Sequence, residues 1–181
     1  MNKLIKKQLQ FKQPQLQYGV SMIELMIVIA IAGIIISLAA PSFQSGLEKS
    51  KLTAAAEALY GDLVFTRSEA IKQNGNVTIQ IEATNPTGWC YGLDDNAATA
   101  CHCTTTPANC TINTIQKTNS ITNHPNITLT TLTGAATGDI SITFDEFGKK
   151  EPLSAATTIT LTLSGNTESI TINEVGRIKF N

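Results

Sequence analysis

A single carboxylate lies inside the most apolar stretch of the chain. From Met22 to Ala40 the sequence runs through 19 residues, of which Glu24 alone is charged. A helix of that length spans roughly 29 Å, close to the thickness of the hydrocarbon core of a bilayer. Because a carboxylate in lipid is costly, Glu24 is predicted to be a functional group that needs a cationic partner. The alternative is an ordinary single-pass anchor with an acid near the interface.

The residues before this apolar stretch predict its orientation. Lys3, Lys6, Lys7 and Lys12 all precede Gly19, and no acidic residue accompanies them. Basic residues beside a membrane segment stay on the cytoplasmic side, so the chain after the apolar stretch is expected to be exported. The apolar run is not followed by a small-residue cleavage site at a plausible place, so the helix is expected to be retained.

Four cysteines fall within one window of 21 residues: Cys90, Cys101, Cys103 and Cys110. An even number in an exported domain predicts two disulfides. A Cys101–Cys103 bond is disfavoured, because one intervening residue strains the ring. Two pairings are left, 90–101 with 103–110 or 90–103 with 101–110. A metal site at Cys101-His102-Cys103 is the alternative, but its spacing differs from the usual metal-binding pairs, and no metal is expected.

Four cations near the C terminus form a second candidate for binding: Lys149, Lys150, Arg177 and Lys179. Arg177 and Lys179 are two residues apart, so on a strand their side chains point to the same side. The four are predicted to make a cationic patch on an otherwise acidic domain, since removal of residues 1–19 leaves nine basic and fourteen acidic residues, a net charge of −5. Such a patch contacts phosphates without reading sequence. The alternative is that these are solvated charges at strand ends, which protect an edge from aggregation.

The sequence contains no recognisable catalytic constellation. His102 and His124 lie in a region of predicted loops, without a nucleophile elbow motif nearby. A phosphate-binding glycine loop and a helix with paired histidines are also missing from the sequence. We therefore expect neither enzyme activity nor a cofactor.

The elements that must position these residues can be predicted from periodicity. A helix is expected from near Ser21 to about Gln73, with a transmembrane half and an amphipathic half. The stripe of the second half recurs at spacings of three and four: Leu52, Ala56, Leu59, Leu63, Thr66 and Ala70. Five alternating runs predict strands at 77–82, 127–132, 140–144, 158–163 and 170–173. Residues 83–125 are interpreted as a long loop or small subdomain with at most short strands, ordered by its cysteines. The predicted fold is α+β, one long helix on an antiparallel meander of about five strands.

Residues 1–75 resemble the type IV pilin family and the pseudopilins of type II secretion. In that family a short basic leader ends in Gly, a hydrophobic helix follows, and Glu occupies the fifth mature position. Gly19 matches the residue before the cut, Val20 stands where the family usually has Phe, and Glu24 falls at the fifth position. The resemblance implies prepilin peptidase cleavage between Gly19 and Val20, N-methylation of Val20, and pairing of Glu24 with the amino group of a neighbouring subunit. The implied parts are a cleaved leader (1–19), a transmembrane and assembly helix (20–45), and an exported pilin domain (46–181) with a disulfide loop at 90–110.

The C-terminal half is similar to the FimT/FimU and GspH branch of the same family. The similarity is carried by Phe144-Asp145-Glu146-Phe147-Gly148 and by Gly176-Arg177-Ile178-Lys179. It implies a minor type IV pilin, held in the inner membrane with a periplasmic domain and then placed near the tip of a surface pilus among major and minor pilins. FimT-type pilins are associated with capture of double-stranded DNA during natural transformation, without sequence specificity. The alternative is a minor pseudopilin of the type II secretion system, resembling GspH and acting in protein secretion.

Overall fold

The computed structural model describes residues 19–83, 88–95, 101–104, 109–133, 136–151 and 155–181. The chain divides into two units, Met1–Ser42 and Phe43–Asn181. Within the described ranges the elements are one helix and twelve strands: α1 (Met22–Gln73), β1 (Val77–Glu82), β2 (Cys90–Asp94), β3 (Thr111–Ile112), β4 (Ile115–Gln116), β5 (Thr118–Ser120), β6 (Thr128–Thr133), β7 (Ala136–Thr137), β8 (Ile140–Phe144), β9 (Lys150–Glu151), β10 (Thr157–Leu163), β11 (Asn166–Ile172) and β12 (Ile178–Phe180).

The helical part of the first unit is apolar and exposed. Large apolar side chains cover its surface, and Met22 and Ile36 are among them. In the described part of the chain, α1 is the helix long and apolar enough to cross a membrane. The predicted bounds of this helix, near Ser21 to about Gln73, agree with the observed ones.

In the second unit, the predicted stripe of α1 is buried in the core. All six of its members are buried: Leu52, Ala56, Leu59, Leu63, Thr66 and Ala70. The helix ends as predicted, because Asn74 adopts a left-handed φ of 51° and the Gly75 amide donates to the Ala70 carbonyl oxygen at 3.1 Å. This 6→1 bond, together with the bond from the Asn74 amide to the Ile71 carbonyl oxygen at 3.3 Å, forms a Schellman motif that satisfies carbonyl groups at the helix terminus.

The strands form two five-stranded antiparallel sheets and a small hairpin, which corrects the prediction of a single meander. The first sheet has the order β5-β2-β1-β8-β9, the second has the order β12-β11-β10-β6-β7, and β3 pairs with β4. Alternation predicts which face of a strand is buried, but it does not choose the neighbouring strand. The first predicted strand therefore has the right bounds, whereas its pairing with β8 across about sixty residues was not predictable.

The region interpreted as a long loop or small subdomain with short strands contains β2, whose place inside a sheet was not predicted. β2 lies between β1 and β5 in the first sheet, and all five of its residues are buried. A Cβ atom added to Gly92, in the middle of β2, would lie 2.6 Å from the Cβ of Cys110 and 2.9 Å from the Sγ of Cys101. The disulfide between these two cysteines occupies the volume that a side chain would take in an ordinary strand.

Helix α1 contacts both sheets. The ring of Tyr60 packs edge-on against Phe180 of β12, with 6.1 Å between the centroids. Two residues further along α1, Asp62 Oδ2 accepts a hydrogen bond from the Tyr91 hydroxyl of β2 at 2.9 Å. Burial and the Asp62 carboxylate hold the pKa of Tyr91 far above its ordinary value, so its hydroxyl remains a donor.

We expect Gly92→Ala to destabilise the domain by about 1–3 kcal/mol, because the added methyl group overlaps the Cys101–Cys110 disulfide. Chemical unfolding of the full chain in detergent micelles, followed by the fluorescence of Trp89, the single tryptophan, measures this change. Gly61→Ala is the matched control. A Cβ atom at Gly61, in α1, meets nothing within 4 Å, so the control is expected to be neutral or slightly stabilising. Equal stability of the two variants would contradict the packing described here.

Candidate functional site

The predicted cleavage and assembly residues lie at the start of α1. Gly19 and Val20 precede the helix, and Val20 is 71% exposed. Their peptide bond is thus in non-helical, accessible backbone, which is what proteolysis requires. Glu24 lies in the first turn of α1, where the helix dipole favours a negative charge.

All four cysteines are paired, in one of the two arrangements that the sequence left open. The disulfides are Cys90–Cys103 and Cys101–Cys110. Cys101 and Cys110 are nearly inaccessible to solvent, whereas Cys103 is only partly buried. The prediction of two disulfides is confirmed.

Glu82, which sequence reasoning missed, lies beside the first of these disulfides. Its carboxylate is almost buried, with 10% of the side chain exposed, and accepts a hydrogen bond from His102 Nδ1 at 2.9 Å. The other carboxylate oxygen lies 3.7 Å from the Sγ atoms of both Cys90 and Cys103. No sequence pattern predicts this contact, because Glu82 is the polar residue at the end of strand β1.

The first cationic residue lies in a tight turn between β8 and β9. The amide of Asp145 donates to the Lys149 carbonyl oxygen at 2.9 Å, and the amide of Gly148 donates to the Asp145 carbonyl oxygen at 2.8 Å. Asp145 Oδ1 accepts a hydrogen bond from the Lys149 amide at 2.7 Å. Gly148 has a φ of +70°, which favours glycine.

The turn between β11 and β12 repeats this arrangement with different residues. Asn173 donates to the Arg177 carbonyl oxygen at 3.0 Å, and Gly176 donates to the Asn173 carbonyl oxygen at 3.0 Å. Asn173 Oδ1 accepts from the Arg177 amide at 2.7 Å, and Gly176 has a φ of +77°. The two segments read DEFGK and NEVGR, an Asx-Glu-apolar-Gly-basic pattern that occurs twice. This pattern was visible in the sequence and was missed. We call residues 145–149 and 173–177 the twin turns.

The twin turns pack directly against each other. A Cβ atom added to Gly176 would lie 3.2 Å from the Lys149 Cα and 3.1 Å from the Lys150 amide nitrogen. Helix α1 holds the first turn through Arg67, whose Nε donates to the Gly148 carbonyl oxygen at 2.8 Å. The backbone of the second turn, next to Arg177, therefore lies against the backbone of Lys149 in the first turn.

Three of the four predicted cations are exposed: Lys149, Arg177 and Lys179. Ile178 packs against the core and Phe180 packs on Tyr60. Because side chains alternate along β12, Lys179 points away from the helix, to the solvent side of the strand.

The structure removes Lys150 from the predicted patch. Lys150 is only 3% exposed, and its ammonium group donates to the Ala155 carbonyl oxygen at 3.2 Å. Burial lowers its pKa, and the charge of Glu174 acts in the opposite direction. A Lys residue fixed in this way cannot reach a phosphate. The sequence could not distinguish it from Lys149, because burial on β9 depends on how β9 pairs with β8.

Comparison with known proteins identifies the family. Residues 55–176 match the sequence model of the family described as type II transport protein GspH. The chain belongs to the GspH family. Residues 15–40 of this GspH-family protein also match the prokaryotic N-terminal methylation motif. It is thus a pilin-like subunit, a minor pilin of a type IV pilus or a pseudopilin of a type II secretion system. No curated protein matches the chain significantly.

Two solved structures have a similar fold. The type IV minor pilin FimU of Pseudomonas aeruginosa is 22% identical with a TM-score of 0.54, and the similarity covers 74% of this chain and 90% of that one. The minor pseudopilin EpsH of the type II secretion system of Vibrio cholerae is 12% identical with a TM-score of 0.53, covering 72% and 96%. The predicted class, α+β with one long helix on antiparallel sheet, is confirmed.

The contact between the twin turns predicts a large cost for a methyl group at Gly176. We expect Gly176→Ala to destabilise the domain by about 1–3 kcal/mol more than Gly165→Ala, because only the former adds strain against neighbouring backbone. Both glycines have positive φ, but a Cβ at Gly165 meets nothing within 4 Å. Chemical unfolding of the two variants measures the difference, and equal losses would argue against the contact.

Proposed function

We propose that this chain is a minor type IV pilin of the FimT type, which assembles through α1 and binds duplex DNA through the exposed cations of the twin turns and β12. The observation that supports the proposal is that two turns of the same design pack backbone against backbone, with Gly176 against Lys149 and Arg177 next to Gly176 in sequence. We further propose that prepilin peptidase removes residues 1–19 at the inner membrane, that Val20 is then N-methylated, and that the domain is exported.

Assembly is proposed to depend on Glu24. In a bundle of apolar helices a carboxylate persists only where a cation compensates it. Cleavage after Gly19 creates an amino group at Val20, and the same group on a neighbouring subunit is the proposed partner. Glu24 is the acidic residue in the first turn of α1, so it lies at the correct end of the helix for this pairing.

Glu24→Ala is expected to abolish incorporation into filaments while leaving membrane insertion unchanged, because the removed charge is needed only between subunits. Co-purification with sheared filaments measures incorporation, and fractionation of membranes measures insertion. Glu57→Ala, which removes an exposed carboxylate elsewhere on α1, is the control. Normal incorporation of the Glu24 variant would contradict the proposal.

The charges near the patch support binding of phosphates at short range. Asp145, Glu146 and Glu151 are the acidic residues nearest to Lys149 in sequence. The Asp145 carboxylate already accepts hydrogen bonds from two backbone amides of its own turn. Glu174 acts on the buried Lys150. The exposed cations can therefore approach a phosphate. Three phosphate contacts imply a slope of about −3 for the logarithm of affinity against the logarithm of salt concentration.

We expect the variant Arg177→Gln/Lys179→Gln to bind duplex DNA more weakly than the unmodified chain and to reduce the salt slope by about 2. Full-length protein in detergent micelles, titrated into labelled duplex at several salt concentrations, measures both quantities. Lys49→Gln/Lys51→Gln removes equal charge from the exposed surface of α1 and serves as the control.

The variant Lys150→Gln tests whether the buried lysine contributes to DNA binding. It is expected to leave the salt slope unchanged, because Lys150 does not face solvent. Equal binding by all these variants, or no salt dependence for the unmodified chain, would refute DNA binding by this patch.

The second candidate function is that of a minor pseudopilin in type II secretion. It is favoured by the family match and by the similarity to EpsH in fold. Deletion of the gene in its host separates the two candidates. Loss of protein secretion with intact transformation would support the pseudopilin, and the reverse would support the pilin.

A further inference from the structure

We propose that Glu82, Cys90 and Cys103 form a Zn²⁺ site in the dithiol form of the domain, before the Cys90–Cys103 disulfide closes or after it is reduced. His102 is assigned the role of orienting the Glu82 carboxylate. The site is independent of DNA binding, and it lies where β1, β2 and the residues around Cys103 meet.

Two of the three distances between ligand atoms match those of a zinc tetrahedron, and the two sulfur atoms, which are bonded in the disulfide, must move to about 3.8 Å apart when the bond opens. Glu82 Oε2 lies 3.7 Å from the Sγ of Cys90 and 3.7 Å from the Sγ of Cys103. Zinc binds thiolate sulfur at about 2.3 Å and carboxylate oxygen at about 2.0 Å, so that two such ligands at a tetrahedral angle are about 3.5 Å apart. The carboxylate is thus already at the required distance from both sulfur atoms, and the three ligand atoms all lie within 4.8 Å of one another.

The surroundings of the cluster provide the remaining requirements of a metal site. His102 Nδ1, 2.9 Å from Glu82 Oε1, fixes the carboxylate from behind, as hydrogen-bonded outer residues do around bound metals. An open cavity of about 230 Å³ adjoins Cys90 and Cys103 and is also lined by Thr104 and Ser120. The cavity gives access to an ion and leaves room for water as the fourth ligand.

The second disulfide keeps these ligands together when the first is open. Cys101 is adjacent in sequence to His102 and Cys103, and its bond to Cys110 packs on Gly92 of β2. Cys110 is fully buried, so this bond is shielded from thiols, whereas Cys103 borders the open cavity. Reagents should therefore open Cys90–Cys103 first. The same pairing excludes Cys101 as a ligand, so the grouping differs from the Cys101-His102-Cys103 run.

The zinc-bound dithiol and the disulfide are related by a two-electron oxidation. A chain exported before oxidation carries two thiols at Cys90 and Cys103, and each loses one proton when it binds Zn²⁺. Removal of two electrons by a disulfide-forming oxidant, itself a disulfide that is reduced to two thiols, joins the sulfur atoms and releases the ion. In the reverse direction, two equivalents of a small thiol reduce the bond and are joined as their own disulfide. Metal and disulfide are thus mutually exclusive states of one cluster.

The experiment uses full-length protein in detergent micelles, reduced with a limited amount of a phosphine and desalted without oxygen. Alkylation followed by peptide mass spectrometry is expected to label Cys90 and Cys103 while Cys101 and Cys110 stay joined. Titration with Co²⁺ is expected to give a thiolate-to-metal charge-transfer band and the visible bands of a tetrahedral site, both reversed by Zn²⁺. Oxidised protein is expected to give neither.

The Zn²⁺ affinities of single variants show which residues bind the ion. His102→Ala, at a half-exposed position, is expected to weaken Zn²⁺ binding about 10–100-fold. Glu82→Gln should weaken it further, and Glu69→Gln, which changes another buried carboxylate, should not weaken it. Absence of the charge-transfer band, equal affinity in oxidised protein, or unchanged affinity in both the Glu82 and His102 variants would overturn the proposal. Opening of Cys101–Cys110 before Cys90–Cys103 would also overturn it.

Discussion

The organisation of the second unit depends on the contact between its two glycine turns. One turn belongs to the first sheet and the other to the second, and the backbone of Gly176 lies against that of Lys149 and Lys150. Arg67 joins helix α1 to the same point through the Gly148 carbonyl oxygen. A side chain at Gly176 would separate the two sheets locally, because neighbouring backbone cannot move aside as a flexible side chain can. Lys149 and Arg177 belong to these two turns, so the contact that joins the sheets also fixes the positions of their backbones.

The helix and the first strand could be predicted from the sequence because their signals are local. The stripe from Leu52 to Ala70 follows the period of a helix, and Val77–Glu82 alternates with the period of a strand. The partner of a strand can be distant in sequence, so the pattern of alternation predicted one sheet where the structure has two. The strand Cys90–Asp94 was missed because Gly92 lacks a side chain, and the disulfide that fills this volume comes from residues further along the chain.

The candidate site residues differ in the same way: some could be predicted from their neighbours in sequence, and others depend on residues that are distant in sequence. Glu24 could be singled out because its apolar surroundings are its own neighbours in sequence. Lys149 and Lys150 are adjacent and chemically equal, yet only the pairing of β9 with β8 buries one of them. Glu82 is a candidate ligand only because it contacts the sulfur atoms of Cys90 and Cys103, which are 8 and 21 residues away in sequence. By contrast, the repeated pattern of the twin turns was local and could have been found.

The net charge of the domain limits how the proposed patch can act. Residues 20–181 carry a net charge of −5, and residues 46–181 carry −4 because Glu24 lies outside them, so the domain as a whole repels a polyanion. At physiological ionic strength charges are screened beyond about 8 Å, so this repulsion is weak at a distance and the nearest charges dominate on contact. In the proposed function, three exposed cations would hold DNA that has already arrived, but they would not accelerate its approach as a uniformly basic protein does. A subunit of this kind suits a filament that carries the binding surface to the DNA, since the filament then replaces electrostatic steering.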